Sequence, residues 1–124
     1  MKFGFVVALG LALLTPRFCL AQDLASALAR VPEKARAKTN PLEAAPTAPK
    51  AGQKLFERHC AECHGSSAEG SRRAPALRDP QVREAAPGEL FWILTNGVIG
   101  RGMPAWSKLP EPQRWQIIAY LQSF

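Results

Sequence analysis

Apolar positions along this chain recur mostly at helical spacing. Leu24, Leu28 and Val31 would share one face of a short helix over Asp23–Val31, which Pro32 interrupts. Gly52, Leu55, Phe56 and His59 follow an i, i+3, i+4, i+7 pattern that predicts a helix from Ala51 to Cys60, with Gly52 permitting close approach of another helix. Leu90, Ile93, Leu94 and Gly97 align on one face of a helix over Pro87–Gly97, and Phe91 and Trp92 widen its apolar band. Pro87 near its start, Glu89 in its first turn and Gly97 past its end are boundary signals. A last helix, Pro110–Phe124, presents Trp115, Ile118, Tyr120, Leu121 and Phe124 to the core and turns Gln113, Arg114 and Gln116 to water. It is expected to pack against Leu55 and Phe56. No alternating run signals a sheet, so the fold class is all-α.

Between these helices the composition changes. Residues 22–50 are rich in alanine and punctuated by Pro32, Pro41, Pro46 and Pro49, with little to bury. They read as an extension or linker, flexible or loosely docked; a dedicated docking arm for a partner is the other reading. Gly65–Pro80 is loop-like and contains Ala74-Pro75-Ala76-Leu77, and Val98–Trp106 is a second, glycine-rich loop around Met103.

One apolar run has no helical periodicity. Phe3 to Leu14 is unbroken over twelve residues, follows Lys2 and is stopped by Thr15-Pro16-Arg17. Small residues around Ala21 complete the layout of a secretory signal peptide cut after Ala21. The run falls short of the roughly 20 residues that span a bilayer. The expected organisation is therefore signal peptide 1–21, extension 22–50 and domain 51–124. Cleavage would remove Lys2 and Arg17 and lower the formal charge from +6 to +4. That modest positive charge suits steering towards an acidic protein partner. No basic stripe with interleaved aromatics points to nucleic acid.

Cys60-Ala61-Glu62-Cys63-His64 carries the chemistry. Two thiols three positions apart can each add across one vinyl group of a haem, and the adjacent imidazole can turn onto the iron. One such run implies one covalent haem c. A thioredoxin-like pair would need a preceding strand, and a zinc site would need more ligands than His59 and His64 add nearby. The Pro75 carbonyl could accept from the second ring nitrogen of His64, and Leu77 could lie on the porphyrin face; spacing alone leaves an ordinary proline turn equally open. Met103, held between Gly102 and Pro104, offers a soft thioether as the sixth ligand. Arg72, Arg73, Arg78 and Arg83 form either a solvated face or a rim for partners or haem propionates. With only about 75 residues in the domain, much of the apolar burial would be against the haem.

Gly52-Gln53-Lys54-Leu55-Phe56, the C-x-x-C-H run, Ala74-Pro75-Ala76-Leu77, Asn96-Gly97, Gly102-Met103-Pro104 and Ala119-Tyr120-Leu121 occur in that order, with Met103 39 residues after His64. In these pieces the chain resembles the class I monohaem c-type cytochromes. It is most similar to the small bacterial group of cytochrome c6-like proteins and the cytochrome subunits of oxidases and dehydrogenases. The resemblance implies a cytochrome c fold wrapped around one haem, its first and last domain helices crossing where Gly52 and Phe56 meet Tyr120. It implies thioethers at Cys60 and Cys63, axial ligation by His64 and Met103, and a Pro75 carbonyl holding His64. The implied role is one-electron transfer in the periplasm, without catalysis, between a dehydrogenase or respiratory complex and an acceptor. Rival readings are a gas sensor or small haem enzyme with an open distal position, and an electron-entry subunit of a larger complex.

Overall fold

A computed structural model describes the chain from Arg17 to Phe124, with side chains from Asp23 onward; the apolar run of the expected signal peptide lies outside the described residues. Seven α-helices occur among them: α1 (Arg17–Ala29), α2 (Glu33–Arg36), α3 (Ala48–His59), α4 (Ala61–His64), α5 (Pro80–Glu84), α6 (Pro87–Asn96) and α7 (Glu111–Leu121). A 3₁₀ turn covers Ile99–Arg101. The only extended pairing among the described residues is a single antiparallel bridge between Val98 and Met103.

The frame is the crossing of α3 and α7. Gly52 makes it possible: a Cβ there would fall 2.5 Å from the Gln116 carbonyl carbon and 3.0 Å from the Ile117 amide nitrogen. With only a hydrogen at this position the two backbones approach directly, and Phe56, Ile117 and Ile118 become fully buried beside them. The Phe56 and Tyr120 rings meet at 5.4 Å in a tilted arrangement. α6 closes the bundle through Leu90, Phe91 and Leu94, with Phe91 stacked 4.0 Å from Trp115.

Arg114 departs from the outward position its charge suggests. It is buried, and its guanidinium donates to the Leu109 carbonyl at 3.1 Å and to Thr95 Oγ1 at 2.5 Å while lying 4.7 Å over the Phe91 ring. These partners replace water for a group that delocalises its charge.

Residues 23–49 also differ from a loose linker. Leu24 and Val31 are buried, and Asn40 donates its buried side-chain amide to the Trp115 carbonyl at 3.2 Å. Arg36 donates to Glu89 at 2.6 Å and to the carbonyls of Leu28 and Val31 at 3.0 and 3.2 Å. Glu89 in turn accepts from the Ala86 amide at 2.9 Å, capping α6 at its positive end. A few well-placed apolar and hydrogen-bonding residues dock this segment despite its disorder-like composition. α3 accordingly starts at Ala48, three residues before the expected start at Ala51, with Pro49 in its first turn where no amide donor is needed.

Candidate functional site

Cys60 ends α3 and begins the single turn α4. Its carbonyl accepts from the amides of Cys63 and His64 at 3.2 and 2.9 Å. This tight turn brings both thiols and the imidazole of His64 to the wall of one cavity. The next loop is tied beneath them. Ser71 Oγ donates to the Cys63 carbonyl at 2.6 Å, Gly70 N to the His64 carbonyl at 2.7 Å, and Leu77 N to the Ala68 carbonyl at 2.9 Å. These bonds fold Pro75 back so that its carbonyl lies 2.9 Å from His64 Nδ1.

A carbonyl only accepts, so Nδ1 carries the proton and Nε2 keeps its lone pair. Burial holds the His64 imidazole below its ordinary value near 6.5, and the bond to Pro75 opposes this only in part. Burial likewise pushes the Cys60 thiol up to about 11 from 9.0, with the Cys63 thiol adding to the effect. The two cysteines are free and half-buried.

Met103 reaches the same cavity from a different element. The Val98 amide donates to the Met103 carbonyl at 3.0 Å and the Met103 amide to the Val98 carbonyl at 3.2 Å, closing a six-residue turn. Gly97, at φ +70°, lies against the backbone of Met103–Ala105: a Cβ at Gly97 would meet the Met103 carbonyl oxygen and Pro104 carbonyl carbon at 2.6 Å. The turn is thereby seated on the end of α6. Gly100, by contrast, has open space around it and no positive φ.

The cavity encloses about 760 Å³, within the roughly 300–1,000 Å³ typical of ligand and cofactor sites. Leu77, Leu90, Ile93 and Leu94 give it apolar walls, and Ile117, Ile118 and Leu121 contribute from α7. An apolar enclosure with two free thiols, a neutral imidazole and a thioether suits haem c. The structure brings together all six residues singled out from the sequence: Cys60, Cys63, His64, Pro75, Leu77 and Met103. It divides the four arginines. Arg72 and Arg73 line the cavity, whereas Arg78 lies 5.1 Å over the Phe124 ring and Arg83 donates to the Phe124 carbonyl at 3.2 Å.

Sequence reasoning missed Asp23, Leu24 and Ala27 of α1, which also line the cavity, and Arg101 and Trp106. Trp106 packs against His59, their rings 5.4 Å apart. The apolar face carrying Leu24 was visible in the sequence, but nothing in its spacing tied it to this site. Among the described residues no three His, Cys, Asp or Glu side chains gather to hold a metal ion.

Helices crossed around an apolar cavity, with a C-x-x-C-H turn in its wall, define a small monohaem c-type cytochrome. Residues 47–121 match the family described as cytochrome c oxidase, cbb3-type, subunit III, and the chain belongs to that family. It is 31% identical over 94 residues to the cbb3-type cytochrome c oxidase subunit CcoP of Rubrivivax gelatinosus. That match covers 65% of this chain but 31% of the relative, so the chain spans about a third of that protein's length. Among solved structures it is similar to cytochrome cL from the marine methylotroph Methylophaga aminisulfidivorans. The TM-score is 0.60 at 26% identity, covering 76% of this chain and 69% of that one. The chain is thus a small, mostly helical monohaem c-type cytochrome related to cbb3-type oxidase subunits and to cytochrome cL.

Proposed function

We propose that Cys60 and Cys63 hold one haem c through thioethers, that His64 and Met103 are its two axial ligands, and that the chain passes single electrons between a dehydrogenase or respiratory complex and an acceptor. The observation carrying this reading is the convergence of Cys60, Cys63, His64 and Met103 on one apolar cavity from two separately built turns. Haem c supplies the Fe(II)/Fe(III) couple when bound. The chain's own residues orient and exclude. The Pro75 carbonyl fixes the ring of His64 with Nε2 free, raising its basicity as a ligand. The Val98–Met103 pair and Gly97 seat the methionine turn. Leu77, Leu90 and Leu94 keep water from the cavity, which favours the less charged reduced state. Arg72 and Arg73 are exposed at the cavity and suit haem carboxylates or an acidic partner surface.

Residues 1–21 direct export to the periplasm and are cut after Ala21; residues 22–50 form an extension docked on the domain that starts near Ala51. The apolar residues of this extension are used on the domain itself, so it is not a free tether. Membership of a family of oxidase subunits supports work beside a respiratory complex, either as a bound subunit or as a small carrier of the cytochrome c6-like kind. Nothing in the site or the comparisons favours the gas-sensor alternative.

The test is an optical spectrum of the exported, haem-loaded protein in both redox states, with carbon monoxide added to the reduced sample. The parent should show the weak long-wavelength sulfur-to-ferric-iron band and no carbon monoxide response; Met103→Ala should lose the band and bind carbon monoxide. A parent that binds carbon monoxide readily, or a variant that keeps the band, overturns Met103 ligation.

A further inference from the structure

We propose that the part of α1 left after cleavage, from Asp23 to Ala29, straps the methionine turn over the cavity, with Asp23 and Leu24 as positioning residues that slow departure of Met103. The inference rests on the reading of Met103 as an axial ligand. The turn from Val98 to Met103 has little else to hold it from outside. Ile99 is 69% exposed, and Gly100 and Gly102 have nothing within 4 Å of where a Cβ would stand. Among the described residues, the only ion pair tying this turn to another element is Asp23 Oδ1 to Arg101 Nη2 at 2.8 Å. Arg101 sits two residues before Met103. The carboxylate end of the pair is well covered, 19% exposed, while the guanidinium is 63% exposed.

Leu24 supplies the second contact. It is buried in the core cluster and, with Ala27, lines the cavity shared with Met103. The strap is also fixed at its far end, where Arg36 holds Glu89 of α6 and the carbonyls closing α1, and where Asn40 holds the Trp115 carbonyl. For Met103 to swing away, the turn must either break the Asp23–Arg101 pair or drag α1 and uncover Leu24. Both resist the motion. Asp23, Leu24, Arg36 and Asn40 lie outside the domain that carries the family match at 47–121, so the strap adds to the site without building the α3–α7 frame.

The opening of the turn can be timed directly in the haem-loaded protein. Imidazole is mixed with the ferric form, and the limiting rate at saturating imidazole reports departure of Met103. Asp23→Asn should raise that rate about two- to fivefold, the range expected for one exposed ion pair. Leu24→Ala should raise it about tenfold or more, because a buried contact is lost. The charge swap Asp23→Arg with Arg101→Asp should return the rate towards that of the parent. Raising salt should speed opening in the parent but not in Asp23→Asn. Parent rates in both Asp23→Asn and Leu24→Ala overturn the strap. A parent that lacks the sulfur-to-iron band and binds imidazole without saturation overturns Met103 ligation, and the strap's role with it. The two failures are told apart because one is read in the variants and the other in the parent.

Discussion

Replacing Gly52 with alanine tests whether the α3–α7 crossing holds the site together. The added Cβ would lie 2.5 Å from the Gln116 carbonyl carbon and nearer still to its oxygen. The obstacle is helix backbone, which no rotamer change can clear. To restore an ordinary contact of 3.4 Å to that nearer oxygen, α7 must retreat by more than about 1 Å, a gap that forfeits at least about half of the dispersion attraction across the interface. Overpacking of this kind costs about 3 kcal/mol, the upper part of its usual range. The better helix propensity of alanine returns about 1 kcal/mol. The net loss of about 2 kcal/mol lowers the melting temperature by roughly 8–16 °C for a domain of this size. Denaturant unfolding of the haem-loaded protein, followed by far-UV circular dichroism, measures it. Gly100→Ala is the matched control: it lies in open space and should change stability by less than about 0.5 kcal/mol. The packing argument fails if Gly52→Ala also stays within that limit, or if both variants lose stability equally.

Arg36→Ala should cost about 1–2 kcal/mol, since it strips Glu89 and two backbone carbonyls of a donor while Arg36 itself is one-third exposed. Hydrogen exchange should show the loss concentrated in α1 and α2; uniform loss across α3 and α7 would contradict a docked arm. Haem-free protein should lose helicity and its cooperative melt, because the apolar walls around a cavity of about 760 Å³ would face water. A haem-free melt matching that of the loaded protein would show that the helices suffice alone.

Much of the site could be read from local spacing because its chemistry is local. Cys60, Cys63 and His64 lie within one helical turn, so their separation along the chain is nearly their separation in space. Apolar periodicity found the helices carrying Leu55, Leu90 and Ile118, since burial of one face dictates that pattern. The short helix α5 was missed: it is a single capped turn, with Asp79 accepting from the Gln81 amide at 2.9 Å and only Val82 buried. Arg114 was assigned to water because charge alone argues for exposure. Its burial depends on Thr95, Leu109 and Phe91, which only the folded chain brings around it.

By itself, then, the sequence determined the helical class, the haem-binding motif and the residue types available as ligands, all of which rest on interactions between near neighbours. Tertiary structure decided which of these meet. Pro75 reaches His64 across an eleven-residue separation because the Ala68 and Cys63 carbonyls fold the loop back. Met103 shares the cavity because Gly97 lets its turn lie on the end of α6. Residues 23–49 resemble a linker in composition, yet Asp23, Leu24, Arg36 and Asn40 each find a partner on the domain. Composition sets how much a segment can bury; whether a complementary surface awaits it is settled only when the rest of the chain has folded.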